Sequence, residues 1–60
     1  MRILVVEDEK KVASFIQKGL QQEGYAVDTV YDGQEAVQNA IAFDYDLVVL
    51  DLMKHRSQDL

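Results

Sequence analysis

The sequence lacks several residue types, and each absence narrows the chemistry that is open to it. The chain has 60 residues, with no cysteine, no proline and only three glycines. Without cysteine it forms no disulfide and no thiolate metal site, so any metal is held by oxygen or by the single histidine, His55. The two glycine-rich phosphate-binding motifs, G-x-G-x-x-G and G-x-x-x-x-G-K-[ST], are both absent from the sequence, which argues against a nucleotide-binding α/β enzyme. A chain of this length holds one small domain with a marginal core.

Basic residues are also few. There are 6 lysines and arginines against 11 aspartates and glutamates, which gives a net charge of -5. Because binding to nucleic acids or to anionic membranes needs a basic face, we expect this segment to bind neither. The apolar runs are far shorter than the roughly 20 residues of a membrane-spanning helix. The first of them ends at Glu7, too early for a signal peptide, so we expect a cytoplasmic protein.

Short apolar runs alternate along the chain with helical periodicity. Residues 3–6 and 47–50 are continuous apolar runs, typical of strands buried on both faces of a parallel sheet. Residues 25–30 form a more polar strand that fits nearer the edge of the sheet. The resulting order, β-α-β-α-β, predicts an α/β fold with parallel strands and right-handed crossovers.

Two helices are predicted between these strands. The first runs roughly over 9–23 and ends at Gly24, a residue type that commonly follows a helix. The second begins at Asp32, which can cap the helix, and Glu35 three residues later resembles a capping box. We also assign Phe15 and Phe43 to the core. The apolar residues that recur at helical spacing are Val12, Phe15, Ile16 and Leu20 in the first helix, and Ala36, Val37, Ala40 and Ile41 in the second.

Acidic residues follow the two apolar strands directly. Glu7 and Asp8 follow the first strand, and Asp51 follows the third. Ligand sites of open parallel sheets lie at the carboxyl ends of the strands, so these carboxylates are expected to meet there. Clustered carboxylates repel one another unless a pKa rises or a cation binds, and Mg²⁺ prefers oxygen ligands. A carboxylate beside such an ion can act as a nucleophile, as in aspartyl-phosphate chemistry.

Each of these acids also has a purely structural interpretation. Glu7 and Asp8 precede a helix, where acids cap unpaired N–H groups and interact favourably with the helix dipole. Asp51 can simply terminate a buried strand. The repetition of an apolar strand followed by an acid favours a metal-binding acidic pocket over these alternatives.

Two separated motifs resemble the receiver domains of two-component response regulators. They are residues 3–9, ILVVEDE, and residues 44–53, DYDLVVLDLM. The likeness is nearest to the subfamily in which a receiver precedes a winged-helix DNA-binding domain. Three dipeptides between the motifs, Gly24-Tyr25, Asp32-Gly33 and Glu35-Ala36, also match. The resemblance implies a flavodoxin-like fold with strand order 2-1-3 and strand three as a free edge.

The resemblance also implies roles for individual residues. Asp51 would be the phosphoacceptor, with Glu7 and Asp8 forming a Mg²⁺ pocket in which Asp8 is the more direct ligand. Met53 would supply a backbone carbonyl to the metal. The phosphoryl donor would be a sensor histidine kinase or a small acyl phosphate. The chain would then be a signalling domain that catalyses at most its own phosphorylation, and not an enzyme in the ordinary sense.

After residue 53 the sequence departs from the family. Residues 54–60, KHRSQDL, contain neither the proline nor the glycine that usually follows. Nothing corresponds to strands four and five, which carry a Ser or Thr and a Lys that engage the phosphoryl group. We therefore expect residues 1–53 to be the first half of a receiver domain, followed by an unrelated tail, with phosphorylation slow or absent. The alternative is a half-receiver that does not signal and forms a symmetric oligomer, in the simplest case a dimer, through strand three or the uncovered sheet face.

Overall fold

The structure, a computed structural model, describes residues 1–51. The predictions for Met53, His55 and the tail 54–60 lie outside the described residues. Within residues 1–51, neither helix has the length and apolar content needed to cross a bilayer. The elements are β1 (Arg2–Glu7), α1 (Lys10–Gln22), β2 (Ala26–Val30), α2 (Gly33–Ala42) and β3 (Leu47–Asp51).

The three strands form one parallel sheet in the order β2-β1-β3. In the register of the sheet, Ile3 lies opposite Val27 on one side and Leu47 on the other. The predicted α/β architecture and strand order are therefore confirmed. Because β1 is the central strand, its apolar residues are covered by strands on both edges as well as by side chains on both faces.

The core lies on the two faces of β1. Since successive residues of a strand point to opposite faces, odd-numbered residues of β1 face α1 and even-numbered residues face α2. The α1 face joins Ile3, Val5 and Val27 with the partly buried Ile16, Leu20, Tyr25 and Val49. The α2 face joins Leu4, Val6 and Val30 with the partly buried Ala36 and Tyr45.

The end of α1 is fixed by a glycine, as the sequence predicted. Gly24 has a φ of 93°, a conformation that residues with a side chain rarely adopt. Its N–H donates to the carbonyl of Gln21 at 3.0 Å, and the N–H of Tyr25 donates to the carbonyl of Leu20 at 3.3 Å. This is the hydrogen-bond pattern of a Schellman motif, and it directs the chain from α1 into β2.

The start of α2 is capped much as predicted. Oδ1 of Asp32 accepts a hydrogen bond from the N–H of Glu35 at 2.8 Å. Oε1 of Glu35 accepts in return from the N–H of Tyr31 at 3.2 Å, one residue earlier than in a standard capping box. The reciprocal pair satisfies two backbone donors and joins β2 firmly to α2.

Two aromatic residues are not where the sequence placed them. Phe15 is 79% exposed and Phe43 is 45% exposed, so their assignment to the core was wrong. The face of α1 that meets the sheet contains Ala13, Ile16 and Leu20, and Phe15 lies to one side of it. Phe43 instead lies under the guanidinium of Arg2, whose Cζ is 4.5 Å from the ring centroid.

The apolar run of β3 by itself suggested a buried strand, but within residues 1–51 β3 is a largely exposed edge strand, as the resemblance to a half-receiver implied. Val48 is 50% exposed and Leu50 is 68% exposed. The reason is that α1 packs on β1 and β2 while α2 packs on β1, so the helices leave β3 largely uncovered. Local apolar character does not bury a strand unless another element reaches it.

A set of polar side chains, which we name the amino-end network, joins β1, β2 and the α2–β3 connection. It consists of Arg2, Asp28, Asn39 and Tyr45. Arg2 Nη2 lies 2.9 Å from Asp28 Oδ2, and the Tyr45 hydroxyl donates to the same oxygen at 2.6 Å. Asn39 Nδ2 donates to the Tyr45 oxygen at 3.2 Å. The hydrogen bonds from Tyr45 and Arg2 lower the pKa of Asp28, while burial and Asp28 raise the pKa of Tyr45.

Candidate functional site

Three acids, which we name the acidic edge, lie at the carboxyl end of the sheet: Glu7, Asp8 and Asp51. Glu7 is the last residue of β1, Asp51 is the last residue of β3, and the two are direct partners in the register. Partners in neighbouring parallel strands point to the same face, which here is the face covered by α1. The structure thus brings together Glu7 and Asp51, which are far apart in the sequence.

Glu7 is a buried carboxyl group at the end of β1, with only 3% of its surface exposed. Its Oε1 accepts a hydrogen bond from the backbone N–H of Glu9 at 2.9 Å. That bond lowers the pKa of Glu7, but burial and the neighbouring carboxyl groups of Asp51 and Asp8 outweigh it, so the pKa is raised. The bond to Glu9 was not predictable from the sequence, because many acids near a helix start make no such contact.

Asp8 lies between β1 and α1 and is not a helix cap. The residue at the N-cap position is Glu9, whose own side chain makes no capping hydrogen bond. Oδ1 of Asp8 is buried and has no hydrogen-bond partner among the described residues. A buried oxygen left without a donor is unfavourable by about 1–3 kcal/mol, so this atom is suited to a ligand that supplies positive charge.

No cation of the described residues neutralises the acidic edge. The one ion pair within residues 1–51 joins Arg2 to Asp28, at the opposite end of the strands. Lys10, the first residue of α1, places its ammonium 5.3 Å from the centroid of the Tyr31 ring. Among the described residues, the hydrogen bond from the Glu9 N–H offsets the charge of Glu7, while burial and the neighbouring acids raise the pKa of Glu7.

The acidic edge fits a hard divalent cation in its chemistry. Every donor is an oxygen, and Asp8 Oδ1 is a buried acceptor without a partner in the described part of the chain. Within residues 1–51 no three acidic or histidine side chains converge on one point as a metal-ligand group. Mg²⁺ does not need such a group, because it is usually held by one or two carboxylates and completes its octahedron with water and phosphate oxygens.

The described residues enclose no pocket at this edge. Asp51 ends its strand and is only partly buried in the described part of the chain. A carboxylate at such a position can attack an electrophile brought by another molecule.

The fold and the acidic edge together define a class: parallel α/β domains with carboxylates at the carboxyl ends of the central strands. Comparison with known families is more specific. Residues 3–56 match the family described as the response regulator receiver domain, and the chain belongs to that family. Receiver domains are signalling modules of two-component systems rather than metabolic enzymes. The match extends beyond residue 53, and the boundary predicted there stays a prediction.

Curated relatives agree with this assignment. The chain is 50% identical over 52 residues to response regulator ArlR of Staphylococcus aureus strain Mu50, and equally to its counterparts in strains MW2 and NCTC 8325. The aligned region covers 87% of this chain but only 24% of each relative. The chain therefore spans about a quarter of the length of these proteins. No solved structure matches the chain significantly.

Proposed function

We propose that this chain receives a phosphoryl group on Asp51 in two-component signalling. Mg²⁺ would be held by Asp8, Asp51 and the backbone carbonyl of Met53, with Glu7 in the same pocket. The observation that carries the proposal is the register of β1 and β3, which pairs Glu7 with Asp51, together with a buried oxygen of Asp8 that has no hydrogen-bond partner within residues 1–51. Family membership supports it, since receiver domains generally bind Mg²⁺ at their phosphorylation site.

The chemical step transfers one phosphoryl group to a carboxylate. An oxygen of Asp51 forms a bond to phosphorus while the bond between phosphorus and the donor breaks. The donor leaves as a histidine imidazole, which takes a proton from solvent, or as the carboxylate of an acyl phosphate. When bound, Mg²⁺ offsets the negative charge of the attacking and transferred oxygens.

The partner in this proposal is a sensor histidine kinase, which the chain would meet in the cytoplasm. Receiver domains of response regulators interact with such kinases, and that family membership supports the choice of partner. We expect the 60-residue segment, tested by itself, to be phosphorylated slowly, because its residues do not include the hydroxyl and the lysine that the resemblance implies beside the phosphoryl group.

The test is the intact mass of the chain after incubation with a small acyl phosphate, with and without Mg²⁺. We expect one added phosphoryl group that depends on Mg²⁺. Asp51→Asn should abolish it, because an amide is not a nucleophile of this kind. Asp44→Asn is the matched control, since Asp44 is exposed and lies outside the acidic edge. Phosphorylation of the Asp51→Asn variant would contradict the proposal.

A second candidate function is self-assembly without signalling. Leu47 and Val48 are about half exposed, Leu50 is more exposed still, and the outer edge of β3 has no strand beside it within residues 1–51. Exposed apolar edge strands readily pair with other chains. Under this candidate the chain forms a symmetric dimer through β3 or the uncovered sheet face. If light scattering showed a folded monomer at micromolar concentration, this candidate would be contradicted. The substitution Leu50→Lys should weaken the assembly.

A further inference from the structure

The carboxylate of Glu7 holds the loop that carries Asp8. Its Oε1 accepts the N–H of Glu9, two residues along the chain, at 2.9 Å. The backbone of Glu9 is extended, with φ -100° and ψ 116°, and its carbonyl accepts the first hydrogen bond of α1 from Ala13 at 2.9 Å. One buried side chain thereby fixes the path of the backbone from the end of β1 to the start of α1.

Asp8 lies between the two residues that this hydrogen bond joins. Its neighbour on one side, Glu7, is held by burial, and its neighbour on the other side, Glu9, is held by its N–H. Asp8 keeps a buried Oδ1 that accepts no hydrogen bond from any described residue. Glu7 is therefore the acid that holds the backbone, whereas Asp8 keeps an oxygen that no described residue engages.

We infer that Glu7 is a positioning residue of the metal site, which acts by holding the Glu9 peptide and so directs the oxygen of Asp8 toward Mg²⁺. The inference rests on the proposed function, because it assumes that Asp8 is a metal ligand. It assigns to Glu7 the kind of outer-shell hydrogen bond that orients ligands in other metal sites. Loss of such a bond typically weakens metal binding about 10- to 100-fold.

Two substitutions distinguish positioning of the Glu9 peptide from attraction of Mg²⁺ by the negative charge of Glu7. Glu7→Gln removes the charge but keeps an oxygen that can accept the N–H of Glu9. Glu7→Met has a similar length and shape but no acceptor of comparable strength. If Glu7 acts only through its charge, the two variants bind Mg²⁺ equally weakly. If it acts by positioning, the glutamine variant retains part of the affinity that the methionine variant loses.

The experiment titrates the 60-residue chain and these variants with Mg²⁺ alone, by calorimetry at constant ionic strength. We expect Glu7→Met to bind at least about 10-fold more weakly than Glu7→Gln. Hydrogen exchange of the Glu9 amide is measured on the metal-free chains. This amide should be protected in the wild type and in Glu7→Gln but not in Glu7→Met, while the Ala13 amide stays protected in all three.

Equal Mg²⁺ affinities of the two Glu7 variants would overturn the inference. So would rapid exchange of the Glu9 amide in the wild-type chain, a result that remains decisive even if Glu7→Met fails to fold. Asp8→Asn tests the underlying proposal separately. If that variant binds Mg²⁺ as well as the wild type, the proposed metal site is wrong, whereas weakened binding by Asp8→Asn with equal Glu7 variants rejects the positioning role alone.

Discussion

The two ends of the sheet both carry clustered polar side chains, but they treat their acids in opposite ways. At the amino end, Asp28 accepts hydrogen bonds from Arg2 and Tyr45, and its pKa is lowered by them. At the carboxyl end, Glu7 lies beside Asp51 with no cation of the described residues nearby, and its pKa is raised. One end stabilises a negative charge, and the other end makes it unfavourable.

This difference separates residues that maintain the fold from residues that are available to a ligand. The amino-end network is internally paired, because Asp28 Oδ2 accepts from Arg2 and Tyr45 and the Tyr45 oxygen accepts from Asn39. The acidic edge is incomplete, with the buried Oδ1 of Asp8 as its clearest sign among the described residues. Perturbed and unsatisfied ionisable groups cluster at functional sites, so the incomplete end is the better candidate for chemistry. Changing either end should therefore give effects of different size and sign.

The largest effect on stability should come from the binding of a cation at the acidic edge. At a Mg²⁺ concentration about 100 times the Kd, binding to the folded chain alone raises the free energy of unfolding by about 2.7 kcal/mol. Urea unfolding with MgCl₂, compared with NaCl at equal ionic strength, measures this. Asp8→Asn should lose the stabilisation and Asp44→Asn should keep it. Equal stabilisation of all three chains would show that the acidic edge does not bind the ion.

A smaller effect should come from breaking the amino end. Tyr45→Phe removes the hydroxyl that donates to Asp28 at 2.6 Å, while Arg2 remains in place. We expect the free energy of unfolding to fall by about 1.5 kcal/mol, the scale of a hydrogen bond to a charged group. Tyr25→Phe, on the other face of the sheet, is the matched control for urea unfolding. If the free energy of unfolding fell equally in both variants, the hydrogen bond from Tyr45 to Asp28 would not contribute to stability as we expect.

The smallest effect should appear in the pH dependence of stability, where the two ends have opposite signs. The lowered pKa of Asp28 means that its stabilisation is present above the ordinary aspartate pKa, about 3.9, and is lost as pH falls through the folded-state value. The raised pKa of Glu7 means that its stabilisation is present below about 4.3 and is lost as pH rises through the folded-state value.

Variants at each end should remove one of these two dependences. In urea unfolding from about pH 3 to about pH 7 without Mg²⁺, Glu7→Gln should remove the loss of stability that occurs as the pH rises. Asp28→Asn should remove the loss of stability that occurs as the pH falls. If Glu7→Gln left the profile above about pH 4 unchanged, the repulsion that we assign to the acidic edge would be absent.

Much of the fold was predictable because its signals are local. The continuous apolar run of β1, the glycine after α1 and the acid at the start of α2 each act within a few residues of where they stand. The strand order came from the family resemblance, which the comparisons confirm. The acidic residues of the candidate site were also predictable, since each directly follows an apolar strand.

The rest depended on contacts between distant residues. Arg2 and Asp28 are 26 positions apart, and Tyr45 and Asp28 are 17 apart, so no local pattern links them. In the sequence, the polarity of Asp28 indicated only a strand near the edge of the sheet. Phe15 was misplaced because helical spacing defines a stripe on α1 but not the angle at which that stripe meets the sheet.

The central position of β1 has a consequence for the synthesis of the chain. The ribosome makes β1 first, yet its neighbour β3 comes much later: Arg2 and its partner Asp46 are 44 residues apart. At about 5–20 residues per second, this separation corresponds to roughly 2–9 s of translation. Throughout that interval β1 is without its neighbour β3, and an apolar strand with an unpaired edge is prone to aggregation until its partner is made.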